Sequence, residues 1–420
     1  MKTAENFLEN IGFDIAEIVE KELIRIEFQP ILSLKLKKAV GVEALCRGIN
    51  PADRTVISPI TLFSEAKRHN LVLALDRLCR KTAMREFANI TGHDNLVLFL
   101  NFDASVLDNV IDEDKSWTKI YADEAGLKYQ NIAVEILESK IENNSKLEAI
   151  TEKFSALGMF VVLDDFGALH SNLNRLVISK PDIIKIDRSL IHNVSQSYYQ
   201  QSIIKSIIDL GKKIGSLTLA EGVESKEDVM KCHELGADLF QGFFFSKPKS
   251  RADLQDFCCK TMMDGLSYEI KDYMAVNLEQ KRFQHANFEN ILNRMLDEVV
   301  NTQEHDFINV ADEFIKTHKD IECVYFLNED GVQVGDTICG FEIPESEHSL
   351  FHPSKTGTDH SLKEYFYFIN SLNLLSYYTD PYISLATGML CRTMAKRFET
   401  EDKTFILCID FIDSRACNLL

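Results

Sequence analysis

The chain contains a series of short apolar runs, each of which ends in a residue that can bind a metal or move a proton. The runs are VGVEAL with Glu43, LVLFLN with Asn101, IAVEILE with Glu135, FVVLDD with Asp164 and Asp165, DIIKID with Lys185, and LTLAEGVE with Glu221. Helical patterns separate these runs, which predicts buried parallel strands joined by crossover helices. Polar residues at the ends of such strands meet on one rim, as in a (β/α)₈ barrel. The pattern therefore predicts an α/β fold with a site on that rim.

The length of the chain predicts two domains. Its 420 residues accommodate one barrel of roughly 250 residues and a second domain of roughly 100–150 residues. We expect an N-terminal amphipathic helix at 1–20, the barrel at 21–252, a helical connector at 253–305 and an α+β domain at 306–420. The connector would join the domains, supply a dimer surface or pack on its own domain.

Two helical stretches carry more detailed expectations. Residues 62–87 have the pattern of one long helix, and the connector is expected to be interrupted at Gly265.

After residue 320 the pattern changes to strands, with a hairpin around Glu329, Asp330 and Gly331 and two antiparallel strands joined by ETEDK. The aromatic and small polar residues between them are typical of a sensor-type fold with a small ligand pocket.

Composition limits the kinds of partner. The formal net charge of −19 argues against sequence-independent binding of DNA or of an anionic membrane surface, because both need a cationic face. A small anionic substrate is compatible with this charge, since cations held by carboxylates recruit phosphate. No apolar stretch is long enough to span a bilayer and no secretory leader is present, so we expect a cytoplasmic protein without membrane insertion. The 10 cysteines include no C-x-x-C pair, and the histidines have no tight ligand spacing, which favours oxygen ligands for any metal.

The adjacent Asp164 and Asp165 can face one site only where their strand ends and the backbone turns, because consecutive side chains of a strand point to opposite faces. We expect Phe166 and Gly167 to supply that turn. Two such carboxylates would bind two cations, which activate water and stabilise the oxygens of a phosphoryl displacement. The alternative for this pair is an ordinary solvated turn.

Each of the other polar residues also has a structural alternative. Glu43 and Glu135 would bind a metal or form a salt bridge inside the barrel, and Asn101 would bind a cation or cap a helix. Lys185 would orient or deprotonate water, hold a phosphate, or pair with a carboxylate such as Asp187. Glu221 and Glu224 bracket a glycine turn, where one would reach a second metal and the other would orient the loop.

The residues Glu43-Ala44-Leu45-Cys46-Arg47 match the E-A-L-x-R signature, and the chain resembles the EAL-domain cyclic di-GMP phosphodiesterases. The motifs FQPI, LNFD, VEILES, LDDFG, IKID, AEGVES and QGFFFSKP follow in the order of that family over residues 20–250. The resemblance implies a modified TIM barrel that hydrolyses one phosphodiester of cyclic di-GMP to the linear dinucleotide with two Mg²⁺ or Mn²⁺ ions.

The resemblance also implies a role for each matched residue. Glu43, Asn101, Glu135 and Asp164 would bind the first metal, Asp165 and Glu221 the second, and Lys185 would act on the attacking water together with Glu43 and Glu221. Substrate contacts are implied for Leu45 and Arg47, with Arg47 at a phosphate, and for Gln241 and Gln29 at the guanine end. Glu138 and Glu224 would position loops.

Two further features qualify the resemblance. The family loop after the aspartate pair usually reads DDFGTGYSSL, whereas this chain has Ala168, Leu169 and His170 in DDFGALHSNL, without the glycine that tolerates positive φ. The alternative function is therefore a weak or inactive cyclic di-GMP receptor that signals through its C-terminal domain. That domain resembles the Cache/PAS-like domain of the YkuI type, which implies a sensory or homodimeric module with Tyr382, Asp380 and Arg392 near a small-molecule ligand.

Overall fold

The structure is a computed structural model, and it describes residues 12–102, 116–137, 144–168, 173–255, 260–341, 350–400 and 403–413. The chain divides into two compact units, Met1–Met274 and Ala275–Leu420. In the described residues, no helix is both long and apolar enough to cross a membrane.

The first unit is built on a closed sheet. Its strands are β1 Ile24–Ser33, β2 Lys38–Ile49, β3 Val56–Ile57, β4 Val97–Phe102, β5 Ile132–Leu137, β6 Phe160–Phe166, β7 Ile183–Ile186, β8 Leu217–Ala220 and β9 Leu239–Phe240. The order β1-β2-β4-β5-β6-β7-β8-β9 closes through β1, and β3 adds to the side of β2. Strand β1 is antiparallel to both of its neighbours, β2 and β9. The other seven strands of the barrel, β2 and β4 to β9, are parallel to one another. The predicted modified (β/α)₈ barrel is confirmed.

Helices cover the outside of this barrel. They are α1 Ile15–Glu20, α2 Pro59–Arg68, α3 Val72–Ala88, α4 Trp117–Glu124, α5 Asn144–Ala156, α6 Asn174–Ser179, α7 Arg188–Ile191, α8 Tyr198–Ile214, α9 Lys226–Leu235 and α10 Arg251–Gln255. The side chains of Ser58 and Ser225 accept hydrogen bonds from the first turns of α2 and α9, which satisfies donors that a helix start leaves unpaired.

Two expectations for helices need correction. Residues 62–87 are not one helix, because α2 and α3 are separated at Asn70, whose φ of +56° interrupts the helical backbone. The N-terminal helix is described only as Ile15–Glu20, and the rest of its predicted length includes residues 1–11, which lie outside the described residues.

The interior of the barrel alternates between an apolar layer and a polar layer. The buried apolar layer consists of Ile31, Phe99, Ala133, Val162, Ile183, Leu219 and Leu239. On each of β4 to β9, the residue two positions after the apolar layer is polar and lies on the same strand face. On β1, which runs in the opposite direction, the polar residue lies two positions before the layer. Gly41 takes the corresponding place on β2, where an added Cβ would lie 2.7 Å from a ring atom of Phe99. The apolar layer thus fills the barrel below and leaves the polar layer at the rim.

The second unit is an α+β structure. It contains α12 Phe307–Ile315, β10 Ile321–Asn328, β11 Gln333–Cys339, α13 Glu364–Ser371, β12 Ser376–Tyr378, β13 Tyr382–Ile383, β14 Leu390–Thr400 and β15 Lys403–Ile412. The sheet order is β11-β10-β15-β14-β12, and β13 also pairs with β14. The hairpin around Asp330 and the antiparallel pair β14 and β15 agree with the expectations.

One long helix, α11 Lys260–Val299, includes the division between the two units. The expected interruption at Gly265 is wrong, since the helix continues through it. The added conformational freedom of a single glycine costs only about 0.5–1 kcal/mol in a helix, and the apolar contacts of α11 outweigh this. Met263 and Leu266 are buried in the first unit, while Phe288 and Leu292 are buried in the second.

Candidate active site

The polar layer at the carboxyl ends of the parallel strands forms a ring. Glu43 lies on β2, Asn101 on β4, Glu135 on β5, Asp164 on β6 and Lys185 on β7. Glu221 and Gln241 directly follow β8 and β9, and Gln29 of the antiparallel β1 completes the ring. The strand-end residues predicted from the sequence therefore share one site, which we call the carboxylate ring.

Lys185 lies at the centre of the carboxylate ring. Its side chain is 1% exposed. The Nζ atom lies 2.9 Å from Oε1 of Glu135, 3.0 Å from Oδ1 of Asp164, 3.5 Å from Oε2 of Glu221 and 3.6 Å from Oε2 of Glu43. The alternative pairing with Asp187 is not formed; that carboxylate accepts a hydrogen bond from the backbone N–H of Ser189 at the start of α7.

Glu43 is held by two amide side chains. Asn101 donates to its Oε1 at 2.9 Å, and Gln241 donates to its Oε2 at 2.6 Å. Gln241 also donates to Gln29 at 3.1 Å, and Gln29 donates to the backbone carbonyl of Ser246 at 3.0 Å. Both glutamines are buried and lie directly beside a carboxylate. Their expected contact with the guanine end of a substrate stays a prediction.

Asp164 and Asp165 reach the same site through a distorted strand end. The expected turn at Phe166 and Gly167 starts one residue earlier, because Asp165 itself has a φ of +55°. Strand β6 continues to Phe166, and its pairing with β7 is irregular between Leu163 and Phe166. Asp164, Asp165 and Glu221 consequently offer oxygen atoms that lie within 4.8 Å of one another. This cluster has the spacing of a cation site.

Burial and mutual repulsion shift the pKa values in the ring. Burial raises the pKa of Glu221 to about 7 and, together with the charge of Asp164, the pKa of Asp165 to about 6. Burial and the charge of Glu43 raise the pKa of Glu135 well above its usual range. Burial lowers the pKa of Lys185, but the surrounding carboxylates outweigh it and the net pKa is raised. Without a cation, the ring thus favours an ammonium and partly protonated carboxylates.

The ring also contains donor atoms suited to a divalent cation. Oε2 of Glu135 is buried without a hydrogen-bond partner among the described residues, which is costly for a carboxylate oxygen. Oε1 of Glu135 and Oε2 of Glu221 contact the ammonium of Lys185 at 2.9 and 3.5 Å. Among the described residues, four carboxylates lie within 3.6 Å of the ammonium of Lys185, and Asp165 lies beside Asp164 and Glu221 as a fifth. Carboxylate and amide oxygens are the ligands that Mg²⁺ and related cations prefer, so these residues fit the implied metals.

A pocket of about 330 Å³ opens beside the ring, between β2, β4, α2 and α3. Glu43, Asn101 and Leu45 line it. Arg47 lies two residues beyond Leu45, where its Nε is 3.0 Å from Oε2 of Glu27. Sequence reasoning missed Glu27, yet its spacing of two residues from Gln29 on β1 would have placed both on one strand face.

The remaining predicted residues lie elsewhere. Glu224 pairs with Arg188, whose Nη2 is 2.9 Å from its Oε1. Glu138, Leu169 and His170 lie outside the described residues.

In the second unit, Tyr382 and Arg392 contact other side chains of that unit. The Tyr382 hydroxyl lies 2.5 Å from that of Thr393, and the Nε atom of Arg392 lies 3.2 Å from a carboxylate oxygen of Asp413. Asp380 is exposed. The ligand contact expected of these three residues stays a prediction.

Comparisons with known proteins agree with this architecture. Residues 14–248 match the EAL domain. The probable cyclic di-GMP phosphodiesterase PdeI of Escherichia coli is 30% identical over 243 residues, which are 57% of this chain and 30% of that protein. The cyclic di-GMP phosphodiesterase NbdA of Pseudomonas aeruginosa is 27% identical over 249 residues, which are 58% of this chain and 31% of that protein. This chain thus spans about a third of the length of such relatives.

A longer match exists to YkuI of Bacillus subtilis, an uncharacterised EAL-domain protein. It is 23% identical over 390 residues, which are 90% of this chain and 92% of that protein. The crystal structure of YkuI, in complex with cyclic di-GMP and calcium, superposes with a TM-score of 0.77 at 22% identity and covers 96% of this chain and 100% of that one. At this identity the superposition supports the fold of both units. Because the family match includes more than half of the residues, the chain belongs to the EAL domain family.

Proposed function

We propose that this chain is a metal-dependent phosphodiesterase that hydrolyses cyclic di-GMP to linear 5′-phosphoguanylyl-guanosine. The observation that carries the proposal is the complete carboxylate ring around Lys185 at the rim of the barrel. The names of PdeI and NbdA support the reaction, and the complex of YkuI supports the ligand.

The proposed cofactors are two Mg²⁺ or Mn²⁺ ions. Glu43, Asn101, Glu135 and Asp164 would hold the first, while Asp165 and Glu221 would hold the second. Asp164, Asp165 and Glu221, whose oxygens lie within 4.8 Å of one another, would bring the two sets of ligands together. When bound, such ions neutralise phosphate charge and make water a better nucleophile near neutral pH.

The residues of the chain supply position and charge. Lys185, an ammonium within 3.6 Å of four carboxylates, would donate a hydrogen bond that orients the attacking water. Glu43 or Glu221 would accept the proton that this water loses. Gln241, supported by Gln29, fixes the orientation of Glu43. Leu45 and Arg47 lie beside the pocket and would contact the base and the phosphate of the substrate. Glu138 and Glu224 would position the loops that follow β5 and β8.

A second candidate function is a cyclic di-GMP receptor with little or no turnover. The departure DDFGALHSNL favours it, because this loop directly follows the two aspartates. In both cases we propose that the second unit acts as a sensory or homodimeric module that regulates the barrel, with a small molecule as its ligand.

Hydrolysis by the purified 420-residue chain separates these functions. The chain is incubated with cyclic di-GMP and Mg²⁺ or Mn²⁺, and products are identified by chromatography and mass spectrometry. Linear dinucleotide supports the enzyme, binding without product supports the receptor, and the absence of both contradicts each proposal. Glu43→Gln and Glu135→Gln should abolish hydrolysis, whereas Glu152→Gln, an exposed position on α5, should not affect it. Unchanged turnover in Glu43→Gln would show that the assigned roles are wrong.

A further inference from the structure

Two cysteines face each other on neighbouring strands of the second unit. Cys323 on β10 and Cys339 on β11 are directly opposite in the antiparallel register, and their sulfur atoms lie 2.7 Å apart. Even the smaller carbon atom packs best at about 3.5–4.0 Å from a non-bonded neighbour, so these two sulfurs are unusually close. Both residues are free thiols, and nothing in the proposed hydrolysis uses them.

The backbone of the two strands sets this close approach. The backbone N–H of Gly340 donates to the carbonyl oxygen of Glu322 at 2.8 Å. The next pair along the strands, Cys323 and Cys339, is therefore a non-hydrogen-bonded pair, in which the Cα atoms are about 4.5 Å apart. Disulfides form at Cα separations of about 4.4–6.8 Å. A Cβ added at Gly340 would lie 2.6 Å from the backbone oxygen of Ile321, so a glycine at this position lets the strands stay close beside the two thiols.

The surroundings of the two thiols favour oxidation over metal binding. Among the residues that the structure describes, no third cysteine, histidine or carboxylate completes a metal-binding group with this pair. Cys323 is 0% exposed, whereas Cys339 is partly exposed on the last strand in the order of the sheet. The hydrogen bond with Cys339 and burial raise the pKa of Cys323. A dissolved oxidant therefore reaches Cys339 first, and Cys323 is in contact with it to react second.

We propose that Cys323 and Cys339 form a redox-sensitive pair, which hydrogen peroxide converts to a disulfide between β10 and β11. The thiolate of Cys339 attacks one peroxide oxygen, the O–O bond breaks, and the departing hydroxide takes up a proton to become water. This step leaves a sulfenic acid on Cys339. The sulfur of Cys323 attacks the sulfur of Cys339, the S–O bond breaks, and the hydroxide leaves as water with the proton of Cys323. In total, two thiols and one hydrogen peroxide give one disulfide and two water molecules.

The disulfide would act first on β11. This strand pairs with β10 alone in the sheet of the described residues, so it can separate from the sheet by a local opening. The new bond would close a loop between positions 16 apart in the chain and would restrict that opening. The proposal goes beyond the proposed function and does not depend on it, since no step involves the carboxylate ring or its substrate.

Peptide mapping of the 420-residue wild-type chain tests the disulfide itself. Trypsin, combined with a protease that cleaves before aspartate, places Cys323 in residues 320–329 and Cys339 in residues 336–355. The reduced chain is treated with hydrogen peroxide, unfolded and alkylated. The two peptides should then be linked, and dithiothreitol should separate them. Cys391→Ser, at a buried thiol on β14, should still form this link. Alkylation of both peptides after peroxide treatment, or linkage of each to another cysteine, would overturn the proposal.

Single substitutions test the order of the two steps. Cys323→Ser should retain the sulfenic acid on Cys339, which a cyclic 1,3-dione labels. Cys339→Ser should leave Cys323 unlabelled and reduced, because this thiol is buried. Labelling of Cys323 in Cys339→Ser, without labelling of Cys339 in Cys323→Ser, would contradict the assignment of Cys339 as the first thiol to react.

Amide hydrogen exchange tests the consequence for β11. After oxidation, residues 333–338 should exchange at least about tenfold more slowly, because the disulfide opposes opening of the strand. The double variant Cys323→Ser/Cys339→Ser should exchange equally fast before and after peroxide treatment. Strand β12, at the other end of the sheet order, should not change in either protein. Equal exchange of β11 in the reduced and oxidised wild type would overturn the effect on the strand. Neither measurement uses cyclic di-GMP, so a failure of the proposed function would leave both results interpretable.

Discussion

The ammonium group of Lys185 lies 2.9 Å from Oε1 of Glu135, and both side chains are at most 1% exposed. Two opposite charges this deeply buried stabilise each other, but each becomes a liability when its partner is removed. The other carboxylates around Lys185 increase this dependence. The stability of the first unit should therefore depend on the balance between the charge of Lys185 and the charges of these carboxylates.

Lys185→Met should lower the free energy of unfolding of the first unit by about 3–5 kcal/mol in EDTA, because it leaves buried carboxylates without a cation. Saturating Mn²⁺ should recover much of this loss by replacing the ammonium. Denaturant unfolding measures the free energy of unfolding in EDTA and in Mn²⁺. It is followed by the fluorescence of Trp117, the only tryptophan of the chain, which belongs to the first unit. Lys205→Met removes an exposed pair with Asp209 on α8 and should change stability by less than about 1 kcal/mol. Equal losses in the two variants would contradict the buried charge balance.

Binding of Mn²⁺ should strengthen as pH rises from 5.5 to 8. The pKa values of Asp165 and Glu221 are raised to about 6 and about 7, so protons compete with the cation below these values. Without a cation, the same shifts make the folded state less stable as pH rises, since folding holds these carboxylates protonated above their usual pKa values of 3.8 and 4.5.

Calorimetric titration with Mn²⁺ at several pH values measures this dependence. Glu221→Gln should flatten it between pH 6 and 8, while Glu152→Gln, at an exposed position on α5, should retain it. An affinity that is independent of pH in the wild type would show that neither carboxylate exchanges a proton for the cation.

Gly242→Ala should destabilise the first unit by about 1–3 kcal/mol and weaken cation binding. An added Cβ would lie 2.1 Å from the backbone oxygen and 2.3 Å from the backbone nitrogen of Val223, so the chain must shift next to Gln241 and its hydrogen bond to Glu43. Gly265→Ala is the matched control, since its Cβ would have nothing within 4 Å and it should stabilise α11 by about 0.5–1 kcal/mol. Thermal unfolding and Mn²⁺ titration of both variants check the contrast. Equal stability of both would contradict the close approach at Gly242.

Asp410→Asn should make the stability of the second unit less dependent on pH. Burial raises the pKa of Asp410 to about 7 from 3.8, although Thr393 donates to it at 2.7 Å. Because the folded state binds this proton more tightly, the unit should be most stable below about pH 4 and should lose stability as pH rises to 7. Amide hydrogen exchange in β14 and β15 at pH 5.5 and 8, corrected for intrinsic rates, measures the change. Asp330→Asn, exposed in the hairpin turn, should behave as the wild type does.

The site shows where prediction from the sequence succeeds. The sequence predicts a shared rim for five polar residues, because each follows an apolar run and parallel strands end on the same side. These residues are Glu43, Asn101, Glu135, Asp164 and Lys185. Strand alternation accounts for the shared rim. Asn101, Glu135, Asp164 and Lys185 each lie two residues after a member of the apolar layer. Local sequence contains that information directly.

Other parts of the site depend on contacts that local sequence does not encode. The hydrogen bond from Gln241 to Glu43 joins residues 198 positions apart, and the pairing of Arg47 with Glu27 depends on the register of β1 against β2. The turn at Asp165 was expected one residue later because its positive φ is unusual for aspartate. The continuous α11 through Gly265 likewise reflects packing that outweighs local preference.

Periodicity is a local property of the chain, so the sequence predicts the strands and the polar residues at their ends. Closure of the barrel depends on the pairing of Leu32 with Phe240, which lie far apart in the chain. Tertiary packing brings Lys185 to four carboxylates and places two glutamines beside Glu43. These contacts join residues distant in the chain, and their pKa values and reactivity depend on burial and distance. Both quantities exist only after the strands and helices have packed.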